Sequence, residues 1–209
     1  MSTHSHIARE FHQQWNDIIR TCAASDLRQG WRSMLDSLGM SVHRHHTFTP
    51  RQSALGLAAW LGVTFAAAAV GGAGAMSARE FYEAMDRPVW APPGWLFGPV
   101  WGLLYITMAV AVWRVWRHGG WRRQRGVLAL YLAQLALNAL WSWLFFAWKL
   151  GMWACVDIAL LCGLVATMMA VFAQRSRLAP WLLAPYLAWL AYAGALCVRL
   201  WRTNADLLG

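Results

Sequence analysis

The sequence predicts an all-α integral membrane protein, a bundle of five transmembrane helices preceded by an N-terminal extension of amphipathic or disordered character. Three observations predict it. Of the 209 residues, 59% are hydrophobic and only 13% charged, against about half and a quarter in an ordinary soluble domain. Five runs almost free of charge follow one another, and each is about the 20 residues a helix needs to cross the hydrocarbon. Arginines concentrate in alternate connections between these runs, which is the distribution that sets topology in a membrane. Strict alternation of apolar and polar residues is absent, which excludes a closed β-barrel.

The first element is the arm of residues 1–50, set apart from the bundle domain of residues 51–209. Ile7, Phe11, Trp15, Ile18, Ile19 and Cys22, then Leu27, Trp31, Met34, Leu35 and Leu38, fall at helical spacing, so two short amphipathic helices can form. They can lie on the cytoplasmic leaflet, fold over the bundle or dock a cytoplasmic partner, and a disordered tail has equal standing. Six of the seven histidines sit here, including His43, His45 and His46. Ligands fixed in space cannot be read from them, and no metal site is expected. The charged-then-apolar start of a cleavable signal is not visible.

The spans are predicted at 54–75, 96–113, 126–148, 152–173 and 179–198. Arg114, Arg117, Arg122, Arg123 and Arg125 lie between the second and third, and Arg175 with Arg177 between the fourth and fifth. The positive-inside rule therefore places these connections and the N-terminus in the cytoplasm, with the loop of residues 76–95 on the opposite side. Read this way, the formal charge of +9 orients the chain in a membrane, and no nucleic-acid partner is expected. Cys155, Cys162 and Cys197 fall inside spans and Cys22 outside them. Their spacing implies neither a metal site nor a disulfide framework.

Most of the 16 tryptophans have an ordinary explanation: Trp113, Trp116, Trp121, Trp153, Trp181 and Trp201 lie near span ends, where indoles form an interfacial belt. Trp101, Trp141 and Trp189 lie deeper and on stripes. Phe97, Trp101, Tyr105 and Met108 share one face of the second span, Tyr131, Gln134, Asn138, Trp141, Ser142 and Phe145 one face of the third, and Tyr186, Trp189, Ala193 and Cys197 one face of the fifth. At a rise of about 1.5 Å per residue, Trp101, Trp141 and Asp157 fall roughly 8 to 10 Å below the non-cytoplasmic surface. Asp157 is the only acid in a span, and an intramembrane ionisable group is a functional candidate or a helix-packing partner. Asn138 suits interhelical hydrogen bonding. Above them "RPVWAPPGWLFGPVWGLLY", Arg87 to Tyr105, carries Trp90, Pro92, Pro93 and Trp95 in a stiffened loop. A rigid loop over an aromatic cavity forms a lid, and such a cavity favours a large, flat, apolar ligand.

"FYEAMDRPVWAPPGWLFGPVWGLLYITMA", "LYLAQLALNALWSWLFF", "MWACVD" and "PYLAWLAYAGALCVRLWRTN" resemble, in order, the signature segments of the translocator protein or tryptophan-rich sensory protein family (TspO/MBR, peripheral benzodiazepine receptor-like). The resemblance implies a five-helix bundle, an expected homodimer, and binding of protoporphyrin IX or haem without an obligatory cofactor. It implies pocket positions at Trp101, Asn138, Trp141, Trp153, Asp157, Trp189 and Ala193, with Trp90, Pro92, Pro93 and Trp95 in the loop. It also associates Trp101 and Trp189 with light-dependent porphyrin breakdown in bacterial members. Where the family usually carries Trp-Tyr before the loop this chain has Phe81-Tyr82. Where it carries asparagine on the last helix this chain has Cys197, and Val198 replaces the tyrosine of a sterol-recognition pattern. No histidine lies in a span, so axial haem ligation by imidazole is not expected. The expected function is a receptor- or transporter-like tetrapyrrole binder with a sensory role in porphyrin metabolism. The alternatives are a light- and oxygen-dependent porphyrin-degrading enzyme and an adaptor acting through the arm.

Overall fold

A computed structural model describes residues 48–209; the amphipathic helices and histidine cluster expected in the arm lie outside these residues. Seven α-helices occur among the described residues: α1 (Pro50–Gly74), α2 (Ala78–Ala84), α3 (Phe97–Trp116), α4 (Gly120–Ser142), α5 (Gly151–Ala173), α6 (Ala179–Thr203) and α7 (Ala205–Leu208). Five of them, α1 and α3 to α6, are long and apolar enough to cross a membrane, and with them the chain is a multi-pass integral membrane protein.

Local chemistry sets the helix ends. Thr49 and Gln52 form a reciprocal capping box, Thr49 Oγ1 accepting from the Gln52 N–H at 3.2 Å and Gln52 Oε1 from the Thr49 N–H at 3.0 Å. Pro50 then occupies the first turn, where its missing N–H costs nothing. Helix α1 thus starts four residues before the expected Ala54. Helix α4 begins at Gly120, six residues before the expected Gly126, so Arg122, Arg123 and Arg125 ride on a helical turn. Arginine is a good helix former, and a turn extended out of the hydrocarbon satisfies its own backbone. At its other end α4 passes into a π-turn, Trp143–Ala147, with the Trp148 N–H donating to the Trp143 carbonyl at 2.8 Å. Such turns insert one residue into the helical frame and re-aim the side chains after it.

The spans close into a ring in the order α1, α3, α6, α5, α4. Its centre holds Met108, Val112, Leu128, Tyr131, Leu161, Val165, Phe172, Leu183 and Tyr186, all fully or almost fully buried. Helix α1 buries only Gly56, Trp60, Thr64, Gly71 and Gly74. Three of those five are glycines, so the helix is held by seats for neighbouring side chains more than by knobs of its own. A Cβ on Gly56 would overlap the Trp116 ring, and one on Gly74 would lie 2.8 Å from Trp143. Trp143 also donates its indole N–H to the Val70 carbonyl at 3.0 Å.

The tryptophans expected to form an interfacial belt divide. Trp121, Trp153 and Trp181 are exposed to the surroundings of the bundle. Trp113 donates to the Ser53 carbonyl at 2.8 Å, Trp116 stacks on Phe48 at 4.2 Å, and Trp201 covers Gly151 and donates to the Gly209 carbonyl at 3.2 Å. These three join helices, because an indole near a span end can satisfy its N–H on a neighbouring carbonyl as well as at a headgroup.

Candidate functional site

The approach to the site is organised by the loop between α2 and α3. Tyr82 on α2 is buried and donates its hydroxyl to the Pro92 carbonyl at 2.9 Å. Burial pushes that hydroxyl above the ordinary tyrosine range, while the Arg87 guanidinium, 4.9 Å from the ring centroid, pulls the other way. Asn204, at the end of α6, grips the loop from the other side. Its Oδ1 accepts from the Asp86 N–H at 2.8 Å and its Nδ2 donates to the Asp86 carbonyl at 3.1 Å. Tyr192 donates to the Trp90 carbonyl at 2.9 Å. Three side chains from α2 and α6 thus fix a proline-stiffened loop whose own backbone makes few regular bonds.

Beneath it lies a cavity of about 870 Å³, within the range of sites for sizeable organic ligands. Helix α1 contributes Ala68 and Gly72, α2 contributes Arg79, Tyr82 and Glu83, and the loop contributes Arg87, Pro93 and Trp95. The inner wall is Phe97, Trp101 and Tyr105 from α3 with Asn138, Trp141, Ser142 and Phe146 from α4. The α4 residues reach it for two reasons: Asn138, Trp141 and Ser142 share a helix face, and the π-turn brings Phe146 onto the same wall. Trp101 and Tyr105 lie 5.4 Å apart and tilted by 32°, and Phe146 meets Trp141 edge-on at 5.8 Å, the offset and T-shaped arrangements aromatic rings prefer.

A second, narrow pocket of about 20 Å³ lies on the far side of the same indoles, lined by Phe97, Trp101, Asn138, Trp141, Ile158, Leu161, Trp189, Leu190 and Ala193. It has room for a group the size of one water. The expected site residues therefore fall into distinct places. Phe97, Trp101, Asn138 and Trp141 line both spaces, Tyr105, Pro93 and Trp95 only the wide one, and Trp189 and Ala193 only the narrow one. Pro92 is buried behind the lid and lines a shallow outer depression with Asp86 and Pro88. Trp90 packs edge-on against Tyr192 at 5.8 Å, outside both spaces. Trp95 is 71% exposed at the mouth, and Trp153 is 54% exposed on the outer face of α5 and borders neither space.

A polar chain ties the two spaces together. The Tyr105 hydroxyl donates to Asn138 Oδ1 at 2.8 Å, Asn138 Nδ2 donates to the Tyr186 hydroxyl at 3.0 Å, and Gln134 Nε2 reaches the same hydroxyl at 2.8 Å. Each link removes a polar group from an environment that would reject it alone. Buried atoms without a partner remain at Trp141 Nε1, Trp189 Nε1, Asp157 Oδ2 and Gln134 Oε1. The Trp141 N–H faces the Cys197 sulfur without a well-formed bond. Asp157 is buried and borders neither space.

Sequence reasoning missed the contributions of α1 and of Arg79, Glu83 and Arg87. Ala68 and Gly72 carry no chemical signal, and their only cue is the run of small residues that leaves α1 without knobs. The charged trio reads in sequence as a solvated loop helix: Arg79 and Glu83 pair at 3.2 Å one turn apart, as exposed helix charges do. Among the described residues no group of three or more histidine, cysteine or acidic side chains could hold a metal.

A family model described as the TspO/MBR family matches residues 58–202. The chain is 42% identical over 127 residues to the translocator protein of Bos taurus, covering 60% of this chain and 75% of the relative. It is 37% identical over 131 residues to the tryptophan-rich protein TspO of Archaeoglobus fulgidus, covering 63% and 84%. It is 36% identical over 125 residues to the tryptophan-rich sensory protein of Cereibacter sphaeroides, covering 60% and 77%.

Proposed function

The chain belongs to the TspO/MBR family, and on that premise we propose that it binds a tetrapyrrole such as protoporphyrin IX in the wide cavity and acts as a receptor or carrier for it. The observation that carries this reading is the pairing of aromatic walls with a cationic mouth. Trp101, Tyr105, Trp141 and Phe146 offer broad ring faces, while Arg79 and Arg87 stand at the rim with Glu83. A porphyrin has the matching asymmetry, a flat apolar macrocycle with carboxylates on one edge. Stacking rewards its area, and guanidinium groups bind carboxylates through charge-assisted, often bidentate hydrogen bonds. The macrocycle would insert edge-first with its carboxylates left at Arg79 and Arg87. The arginine-rich ends of α3 and α4 would face the cytoplasm and the mouth would open on the opposite side.

Titration of purified protein with protoporphyrin IX, followed by quenching of tryptophan emission, tests the reading. Trp101→Ala should weaken binding by about tenfold or more, equivalent to about 1.4 kcal/mol. Arg79→Gln with Arg87→Gln should weaken the dicarboxylate while sparing its dimethyl ester. Equal affinity for acid and ester in the parent protein would remove the cationic mouth from the account.

Oxidative breakdown of the ligand under light is a second reading, favoured by the Trp101 ring on the cavity wall with Tyr105 behind it at 5.4 Å. Such a pair can supply an electron to a photoexcited macrocycle and refill the indole. A defined open-chain product formed over several turnovers in oxygen would support it. Bleaching equal to that in detergent alone would dismiss it.

A further inference from the structure

Helices α5 and α6 run antiparallel and pack along each other, with glycines at two of their contacts. Near the start of α5, Gly151 leaves no room for a side chain, since a Cβ there would lie 2.5 Å from Trp201 on α6. Two turns further on, Ile158 of α5 rests in ordinary contact with Gly194 of α6, 3.6 Å from where a Cβ would stand. Between these contacts, four residues from Gly151 and three from Ile158, stands Cys155. Opposite it, four residues from Trp201 and three from Gly194, stands Cys197. The cysteine pair thus has an interhelical contact on either side, and the sulfurs sit 3.1 Å apart, closer than two non-bonded sulfurs ordinarily rest. A disulfide needs about 2.05 Å, so the sulfurs have only about 1 Å left to close. Both thiols are free.

The two cysteines differ in access. Cys197 is fully enclosed among Phe145, Ala154 and Leu200, whereas Cys155 is only partly buried at the edge of the same cluster. Cys155 is one turn inside the start of α5 and partly accessible, so it can be met from the interface by a small neutral oxidant. We propose that Cys155 and Cys197 form a peroxide-oxidised dithiol, in which Cys155 is the attacking and Cys197 the resolving thiol, and whose disulfide staples α5 to α6 behind Trp141.

The Cys155 sulfur attacks one oxygen of hydrogen peroxide and breaks the O–O bond. It becomes a sulfenic acid, and the other oxygen leaves as water with the thiol proton. The Cys197 sulfur then displaces the sulfenic oxygen, which departs as a second water with the Cys197 proton, and the S–S bond forms. Two electrons pass from the thiol pair to the peroxide, and a dithiol reductant reverses the change.

The proposal stands on the seam alone and does not depend on what the wide cavity binds. Its test uses the full chain with Cys22→Ala and Cys162→Ala, so that only the pair reports. After treatment with equimolar hydrogen peroxide, acid quenching and denaturing alkylation, intact mass should show both thiols lost to alkylation and the protein lighter by two hydrogens. A non-reducing peptide map should join the segments carrying Cys155 and Cys197 within one chain, and dithiothreitol should restore both thiols. Adding Cys197→Ser should stop Cys155 at a sulfenic acid trapped by dimedone, whereas Cys155→Ser should leave Cys197 unoxidised. Two thiols still alkylated after peroxide, Cys155 carried on to sulfinic acid while Cys197 stays free, or a bridge between two copies would each overturn it.

Discussion

The side of the bundle where α1 meets α3 and α4 and the side where α5 meets α6 are built from the same stock of apolar, aromatic and small residues. The first encloses about 870 Å³ and the second leaves about 20 Å³ beside it. Gly56 and Gly74 of α1 are filled seats like Gly151 of α5, and the difference shows at Gly72. Gly151 is a seat filled by Trp201. Gly72 has nothing within 4 Å of a would-be Cβ and lines the wide cavity. A small residue with a matched large partner makes a tight joint, and a small residue without one makes a void. Site and scaffold are therefore distinguished by the presence of a partner across the interface more than by composition.

Putting a side chain into the void is the strongest way to break this contrast. Gly72→Phe projects a ring into free space, so the fold should be retained with stability changed by less than about 1 kcal/mol, a Gly-to-larger exchange in a helix being close to neutral when nothing clashes. Protoporphyrin IX binding should fall by about a hundredfold, or about 2.7 kcal/mol, in the quenching titration. Unchanged affinity would take the ligand out of this cavity. The reciprocal change is Gly151→Ala, whose Cβ would meet Trp201 at 2.5 Å. It should cost about 1–3 kcal/mol through overpacking, read as a lower Tm in detergent, and leave ligand affinity within about twofold. A loss of affinity as large as that of Gly72→Phe would mean that the two sides are coupled.

A smaller effect is expected where the two sides share one polar chain. Tyr186→Phe removes the hydroxyl that accepts from Asn138 Nδ2 and meets Gln134 Nε2. Buried amides left without partners cost about 1–2 kcal/mol. The affected residues belong to α4 and α6, so Tm should fall, and affinity should change only as far as Asn138 loses its orientation toward Tyr105. Infrared difference spectra of the side-chain amides would show that loss directly. Tyr186→Phe combined with Asn138→Leu should recover part of the stability, because it removes the orphaned Asn138 amide, and only part, because the Tyr105 hydroxyl and Gln134 Nε2 each lose a partner.

The bundle was legible in sequence because apolar runs of membrane-spanning length leave few other folds for a chain. The stripes that placed Trp101, Asn138 and Trp141 on common faces were legible too, since a helix fixes which residues share a side, and these residues do line one wall. What helical periodicity could not supply was the partner across each interface. Trp189 and Trp101 are both aromatic stripe residues away from the span ends, yet Trp101 and Trp141 line the wide cavity and Trp189 does not. Trp153 looked like its neighbours in the motif and points away from them. Cys155 and Cys197 lie 42 residues apart with no spacing signature, and only the antiparallel register of α5 and α6 brings them together. The extension of α4 through Arg122, Arg123 and Arg125 was hidden because charge marks where the hydrocarbon ends, and a helix can continue beyond that point.

The smallest effect concerns the lid, which is held from α2 by Tyr82 and from α6 by Tyr192 and Asn204. Tyr82 donates to the Pro92 carbonyl, and Tyr82→Phe should lower stability by about 1 kcal/mol at neutral pH, the usual worth of one such bond. Burial raises the Tyr82 hydroxyl above the ordinary value, with Arg87 opposing. The neutral, donating form is therefore favoured by the fold. Its stabilisation is complete below the unfolded tyrosine value of about 10 and is lost as pH rises through the folded value. The Tm difference between parent and Tyr82→Phe should then be constant from neutral pH to about 9 and shrink above about 10. The two proteins differ only in the Tyr82 hydroxyl, so the difference isolates it. No gap at neutral pH would mean that ring packing against Phe97, 5.4 Å away, which the variant keeps, and not the hydrogen bond, holds the lid in place.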